Sequence, residues 1–191
     1  MLNKMAVRLS KRLLSHQVIT EDILDIYVYG FELIISSLIS TTLILLIGLL
    51  LNMFFPTVAF LVVFILLRSF SGGYHAKTYA WCSLITLGTY ITVLTLSKFL
   101  DVPWIAYWIL AGVGLGLLML LAPIENPNKQ LSLAQKRKFK IISCIIFTLF
   151  VSVGICLKEI VTQVSDVIFF TLVSDLFLLF MKNKKGKELK R

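Results

Sequence analysis

Six long apolar runs, at about 27–51, 54–70, 80–97, 104–122, 141–157 and 161–181, take up most of this chain and decide what it can fold into. Each is near the ~20 residues that an α-helix needs to cross the hydrocarbon of a bilayer, the second and fifth being somewhat short. The chain has 191 residues, 58% of them hydrophobic and 15% charged, with a mean hydropathy of +0.91. One small core cannot hide that much apolar surface, so lipid must be the solvent for most of it. The expected fold is all-α: a single polytopic membrane domain over 1–191 with about six transmembrane helices. Merging of the short runs would leave four or five.

The charges sit between the runs. Of the 19 Lys and Arg residues, seventeen fall before the first run, in 68–79, in 123–140 and in 182–191. The alternate segments hold only Lys98 and Lys158. Basic residues collect on the cytoplasmic side of a membrane protein, so six spans put both termini and the segment 68–79 in the cytoplasm. The net charge of +9 therefore reports orientation and a bilayer partner, and no nucleic acid is expected. Residues 1–19 form a basic amphipathic surface helix, with Leu2, Met5, Ala6, Leu9 and Leu13 at helical spacing and Lys4, Arg8, Lys11 and Arg12 on other faces. His16 belongs to its polar side. Thr20, Glu21 and Asp22 mark the next helix start. Residues 182–191 are a basic cytoplasmic tail, and no secretory signal peptide is expected.

Cys82, Cys144 and Cys156 give neither a disulfide framework nor a metal pattern, and no cofactor is implied. The last two lie in one run ~18 Å apart along a helix, too far to pair. The GVGLG stretch lies inside an apolar run with no strand before it, so it is no phosphate loop. Gly112 and Gly116 instead have the GxxxG spacing of close helix packing, within or between protomers.

The stretch RSFSGGYHAKTYAWC, residues 68–82, carries the candidate chemistry. A cytoplasmic Cys82 stays reduced. Thr78 is a plausible N-cap, which sets Cys82 near the first turn of a helix, where the partial positive charge favours a thiolate. His75 within hydrogen-bond reach would act as its base. One continuous helix separates positions 75 and 82 by ~10.5 Å, so the segment must bend, and Gly72-Gly73 gives it that freedom. From spacing alone a lone His and a lone Cys at a membrane edge are more often filler than dyad. Two ligands without partners do not make a zinc site either.

The same residues resemble the signature of the AgrB family, the accessory gene regulator B proteins of Gram-positive bacteria: Arg, a Gly-Gly pair, then His and Cys seven apart. The segment APIENPNK at 122–129 also resembles that family's proline-containing cytoplasmic loop, followed by basic residues. The resemblance covers nearly the whole chain. It implies a membrane cysteine endopeptidase with Cys82 as nucleophile and His75 as base. The implied substrate is an AgrD-like propeptide with an amphipathic helix, a central stretch that becomes the cyclic signal, and an acidic C-terminal tail. Removal of the tail yields a thiolactone or lactone quorum-sensing peptide. A homodimer is implied as well.

Several residues are candidates for support. Arg68 matches the family's arginine and holds a substrate carboxylate or the loop, unless it only snorkels at the membrane edge. Gly72 and Gly73 offer N–H groups to the oxyanion or simply make the turn. Glu32 is placed to orient His75 or pair with Arg68, and Asn126 or Asn128 to orient the imidazole. Lys129, Lys136, Arg137 and Lys138, with Lys140, make a basic loop for the acidic tail. Asp166 and Asp175 lie in the last run, where acids are costly. They mark a peptide path, unless Asp166 sits at the outer interface. A small peptide transporter and a non-enzymatic membrane adaptor are the rival functions.

Overall fold

The computed structural model describes residues 2–72, 79–124 and 132–188. They form α1 (Leu2–Ser15), α2 (Leu24–Leu50), α3 (Phe54–Ser71), α4 (Tyr79–Phe99), α5 (Trp104–Leu121), α6 (Leu133–Leu157) and α7 (Thr162–Glu188). A short 3-10 turn, Glu21–Ile23, leads into α2. No strand occurs among the described residues. All helices but α1 are long and apolar enough to cross a membrane, so the chain is an all-α polytopic membrane protein.

Burial orders the bundle. Half of the apolar window of α7 is buried and 44% of that of α3, against 17% for the first span. Helices α3 and α7 therefore form the centre. α7 contributes Val167 to a core with Ile44, Phe60, Phe64, Tyr90 and Val93. Its Ile168, Leu172, Leu176 and Leu179 join a second core with Val63, Leu67, Leu110, Phe147 and Val151. Central placement explains how α7 carries Ser165, Asp166, Thr171 and Asp175, all buried, in a membrane: its polar residues face protein and not lipid.

The ends of the helices set the level of the loop that carries the RSFSGGYHAKTYAWC signature. Asn52 takes a left-handed φ of 55° and turns the chain tightly from α2 into α3. At 1.5 Å per residue, the 18 residues of α3 return ~27 Å along α2, to about the level of Leu33. The start of α4 is fixed independently. Ser40 Oγ donates to Ser83 Oγ at 2.7 Å, and Ser36 Oγ lies 3.5 Å from the same atom. Tyr79, one turn earlier, is thus level with the end of α3. Helix α2 rises about 14 Å above both.

Helix α1 folds back onto this projecting part of α2. Asn3 Nδ2 donates to Glu32 Oε1 at 2.8 Å, and Ala6 and Ser10 are fully buried. The apolar face expected from spacing is divided: Ala6 is in the contact while Met5 and Leu9 stay exposed. Small side chains let two helices approach closely, and the longer ones remain for lipid. Lys4, Arg8, Lys11 and Arg12 are exposed, so this hairpin cannot lie in hydrocarbon. Helix α2 begins at Leu24, and exposed Tyr27 and Tyr29 on it suit a membrane interface.

The fifth span also begins differently from expectation. Ser132 Oγ accepts from the Gln135 N–H at 3.3 Å while Gln135 Oε1 accepts from the Ser132 N–H at 3.0 Å. This capping box starts α6 well before residue 141. Lys136, Arg137, Lys138 and Lys140 consequently lie on the first two turns of a helix and not in a loop. Within the GVGLG stretch, Gly114 is the glycine packed inside the chain: a Cβ there would lie 2.2 Å from the Phe147 ring, whereas Gly112 and Gly116 meet nothing within 4 Å.

At the end of the bundle away from Cys82, Lys158 is buried and bridges Asp101 (2.6 Å) and Asp166 (2.8 Å). Ser165 donates to the Gly154 carbonyl at 2.7 Å and is hydrogen-bonded to Tyr107. Asp166 is thus the buried partner of a lysine in the α6–α7 turn.

Candidate active site

The C-terminus of α3 is closed by Gly72, whose N–H donates to the Arg68 carbonyl at 3.2 Å. Gly72 has φ 73°, a left-handed conformation open to glycine. It is also where another segment passes: a Cβ would lie 2.4 Å from the backbone oxygen of Ile124. The Ile124 N–H donates to the Ser71 carbonyl at 3.0 Å. The chain after α5 is therefore clasped onto the end of α3, and the two stretches singled out in the sequence, 68–82 and 122–129, meet there. The Gly72 N–H is used within the helix end, which fits the turn-making role and not an oxyanion donor.

Cys82 lies near the start of α4 and is partly exposed. Its carbonyl accepts from Thr86 Oγ1 at 3.0 Å, an ordinary intrahelical side-chain bond. The next residue, Ser83, is pinned to Ser36 and Ser40 of α2, so α4 is fixed beside α2 one residue from the thiol. Exposed Trp81 stands on the other side, as suits a ring at a membrane interface. Cys82 thus stands one residue from the seam between α4 and α2, near the level at which α3 ends. His75, Gly73, Thr78, Asn126, Asn128 and Lys129 lie outside the described residues.

Arg68 occupies the last turn of α3, its guanidinium carbon 5.1 Å from the centre of the Phe64 ring. The side chain thus lies along its own helix, with its Nη1 buried. The described hydrogen bond of Glu32 goes to Asn3 of α1 and not to Arg68. Phe70 and Phe139 meet edge to face at 5.9 Å, which sets the start of α6 against the end of α3. Exposed Arg137 and Lys138 are therefore at the same end of the bundle as Cys82. Lys140 is directed elsewhere, its Nζ donating to the Met119 carbonyl at 2.7 Å and capping α5.

Among the described residues no three His, Cys, Asp or Glu side chains are grouped to hold a metal ion. Spacing did not single out Ser36, Ser40 and Ser83, because isolated serines in apolar runs carry no signature. Ile124 was equally hidden, since its contribution is a backbone N–H.

No curated protein and no solved structure matches the chain. The family model of accessory gene regulator B matches residues 2–181, which takes in every helix that can cross the membrane and both stretches of the clasp. The chain belongs to the AgrB family of quorum-sensing accessory gene regulator proteins.

Proposed function

We propose that the chain is a membrane cysteine endopeptidase which removes the acidic C-terminal tail from an AgrD-like propeptide. The observation that carries this reading is the placement of Cys82: partly exposed, near the start of α4, at the end of the bundle where α3 is closed and clasped. His75 takes the thiol proton, and the thiolate attacks the scissile carbonyl. The tetrahedral oxyanion collapses with cleavage of the C–N bond. The new amino group leaves with the proton returned by His75, and the peptide remains as a thioester on Cys82. An internal thiol or hydroxyl of the peptide then attacks that carbonyl, closing a thiolactone or lactone and releasing the Cys82 thiol. Thioester and thiolactone are close in acyl activation, so the second step needs little driving force. It does need water kept out, since hydrolysis would give a linear dead end.

The basic ends and Cys82 face the cytoplasm in this reading, 1–191 acts as a single domain, and two copies form a homodimer. The exposed cations at the start of α6 meet the acidic tail. The pairing of Asp166 with Lys158 argues against a charged transport path through α7. Co-expression of a cognate propeptide with the wild-type chain and with Cys82→Ala, followed by mass analysis, is the test. The variant should release no tail and form no acyl-enzyme; tail release by Cys82→Ala would refute the mechanism.

A further inference from the structure

Asp175 is a buried acid that the chemistry above leaves unused. It is 8% exposed on the central helix, and its Oδ2 is buried without a hydrogen-bond partner among the described residues. A carboxylate at that depth is costly unless an opposite charge faces it. The helices around α7 offer few. Helix α5 carries no charged residue, and α4 has only Lys98, in its last turn at the other end. On α6, Lys140 is bound to the Met119 carbonyl, and Lys136, Arg137 and Lys138 lie nearer the helix start. Lys158, beyond the end of α6, serves Asp101 and Asp166. The single charged residue of α3 is Arg68.

Geometry makes the match. α3 and α7 both begin at the end of the bundle that holds Lys158, and they pack side by side in the same direction. Arg68 and Asp175 each stand ~20 Å along their helices at 1.5 Å per residue, so they are level with each other. The adjoining residues Leu67 and Leu176 share one buried cluster. Arg68 Nη1 is buried, as is Asp175 Oδ2, so both polar ends lie inside the bundle.

We propose that Asp175 is a positioning residue: its carboxylate holds the Arg68 guanidinium inward and, through Arg68, fixes the end of α3 from which the segment carrying His75 departs. The linkage is short. Arg68 stacks over Phe64 on one side, and its carbonyl takes the Gly72 N–H that closes the helix. An arginine committed to Asp175 is not the receptor for the propeptide's acidic tail. That contact falls to α6.

The inference rests on the catalytic reading of Cys82 and His75, so its test needs a readout apart from cleavage. In full-length protein carrying Cys144→Ala and Cys156→Ala, the alkylation of Cys82 by iodoacetamide is followed against pH. Asp175→Asn should slow alkylation at neutral pH by at least about tenfold, part of the ~10²-fold that a positioned base supplies, and shift the midpoint of the profile. Asp175→Glu should keep the rate within about threefold, since it restores the charge. Tail release should lose kcat with KM unchanged, equally for a propeptide whose tail acids are neutralised. A profile for Asp175→Asn that overlays the parent overturns the proposal. So does a rise in KM that disappears with the neutralised tail, because it would assign Arg68 to tail binding. If Asp175→Asn is not monodisperse in detergent, Arg68→Lys is measured instead. It keeps the charge but not the planar fork, and an overlay there is equally fatal. Tail release by Cys82→Ala would instead strike at the dyad itself, so the two failures are distinguishable.

Discussion

The Ile124 N–H donates to the Ser71 carbonyl at 3.0 Å, and with this bond the chain leaving α5 is laid across the end of α3. Two stretches more than fifty residues apart in sequence thereby become one structural unit beside Cys82. A helix C-terminus has carbonyls without intrahelical partners, and a crossing backbone N–H satisfies one of them.

Gly72 is the contact that this clasp does not allow to grow. An alanine there would need a left-handed φ and would meet a backbone oxygen that has no side-chain freedom to retreat. Gly72→Ala should destabilise the protein by about 1–3 kcal/mol and reduce tail release strongly. Gly88→Ala, whose new methyl meets nothing within 4 Å, should leave both unchanged. Thermal unfolding in detergent and propeptide cleavage measure the pair. Equal behaviour of the two variants would remove the steric argument.

Lys158 gives a pH dependence with a definite sign. Burial opposes its charge, but Asp101 and Asp166 outweigh burial, so its pKa is raised above the ordinary lysine value. A group whose pKa rises on folding contributes stability that is complete below its unfolded pKa and lost as pH climbs through the folded one. The thermal midpoint should be insensitive to this group around neutrality and fall in the alkaline range. Lys158→Met should cost about 3–5 kcal/mol, because Asp166 is left as an uncompensated buried charge. Asp101→Ala should cost about 0–1 kcal/mol, its carboxylate being exposed. Unfolding curves of the three proteins across pH check the order; a larger loss in Asp101→Ala would contradict it.

Arg137 and Lys138 are exposed on the first turns of α6, at the same end of the bundle as Cys82. Reversing both charges should raise KM for the propeptide several-fold at low salt and less at high salt, since the Debye length falls from roughly 30 Å at 0.01 M to 3 Å at 1 M. Cleavage kinetics at several salt concentrations decide this. A KM that ignores both salt and charge reversal would leave these residues only an orienting role.

Orientation is open to chemical labelling. In a cysteine-free background, Ile160→Cys should react with an impermeant maleimide added to intact cells, and Gly186→Cys only after lysis. Ile160 is 77% exposed in the α6–α7 turn, so access should not limit the first. The reverse pattern would place Cys82 outside and undo the argument for a reduced thiol.

A propeptide whose internal cysteine is replaced by alanine should trap the thioester. The adduct on Cys82 should survive detergent and disappear with hydroxylamine, as read by intact-protein mass. Absence of any adduct while the tail is still released would count against covalent catalysis.

By itself the sequence determined the helices that cross the membrane. The length and apolarity of runs such as 54–70 and 104–122 admit no other structure in lipid, and the observed helices end within a residue of those bounds. It also placed Cys82 near a helix start, because polar residues and a Gly-Gly pair interrupt the apolar pattern just before it. The partners were not legible. In water an apolar stripe shows which face of a helix is buried, but lipid tails are as apolar as leucine, so the apolar residues of α2 and α3 do not tell the peripheral helix from the central one. Only tertiary structure decided that α7 is central, that Asp166 belongs to Lys158, and that Arg68 stands level with Asp175. The Ser132–Gln135 capping box, which carried α6 through the basic residues, was a local signal overridden in the reading by charge. The contact of Gly72 with Ile124 left no local signal, because a backbone oxygen from a distant segment makes it.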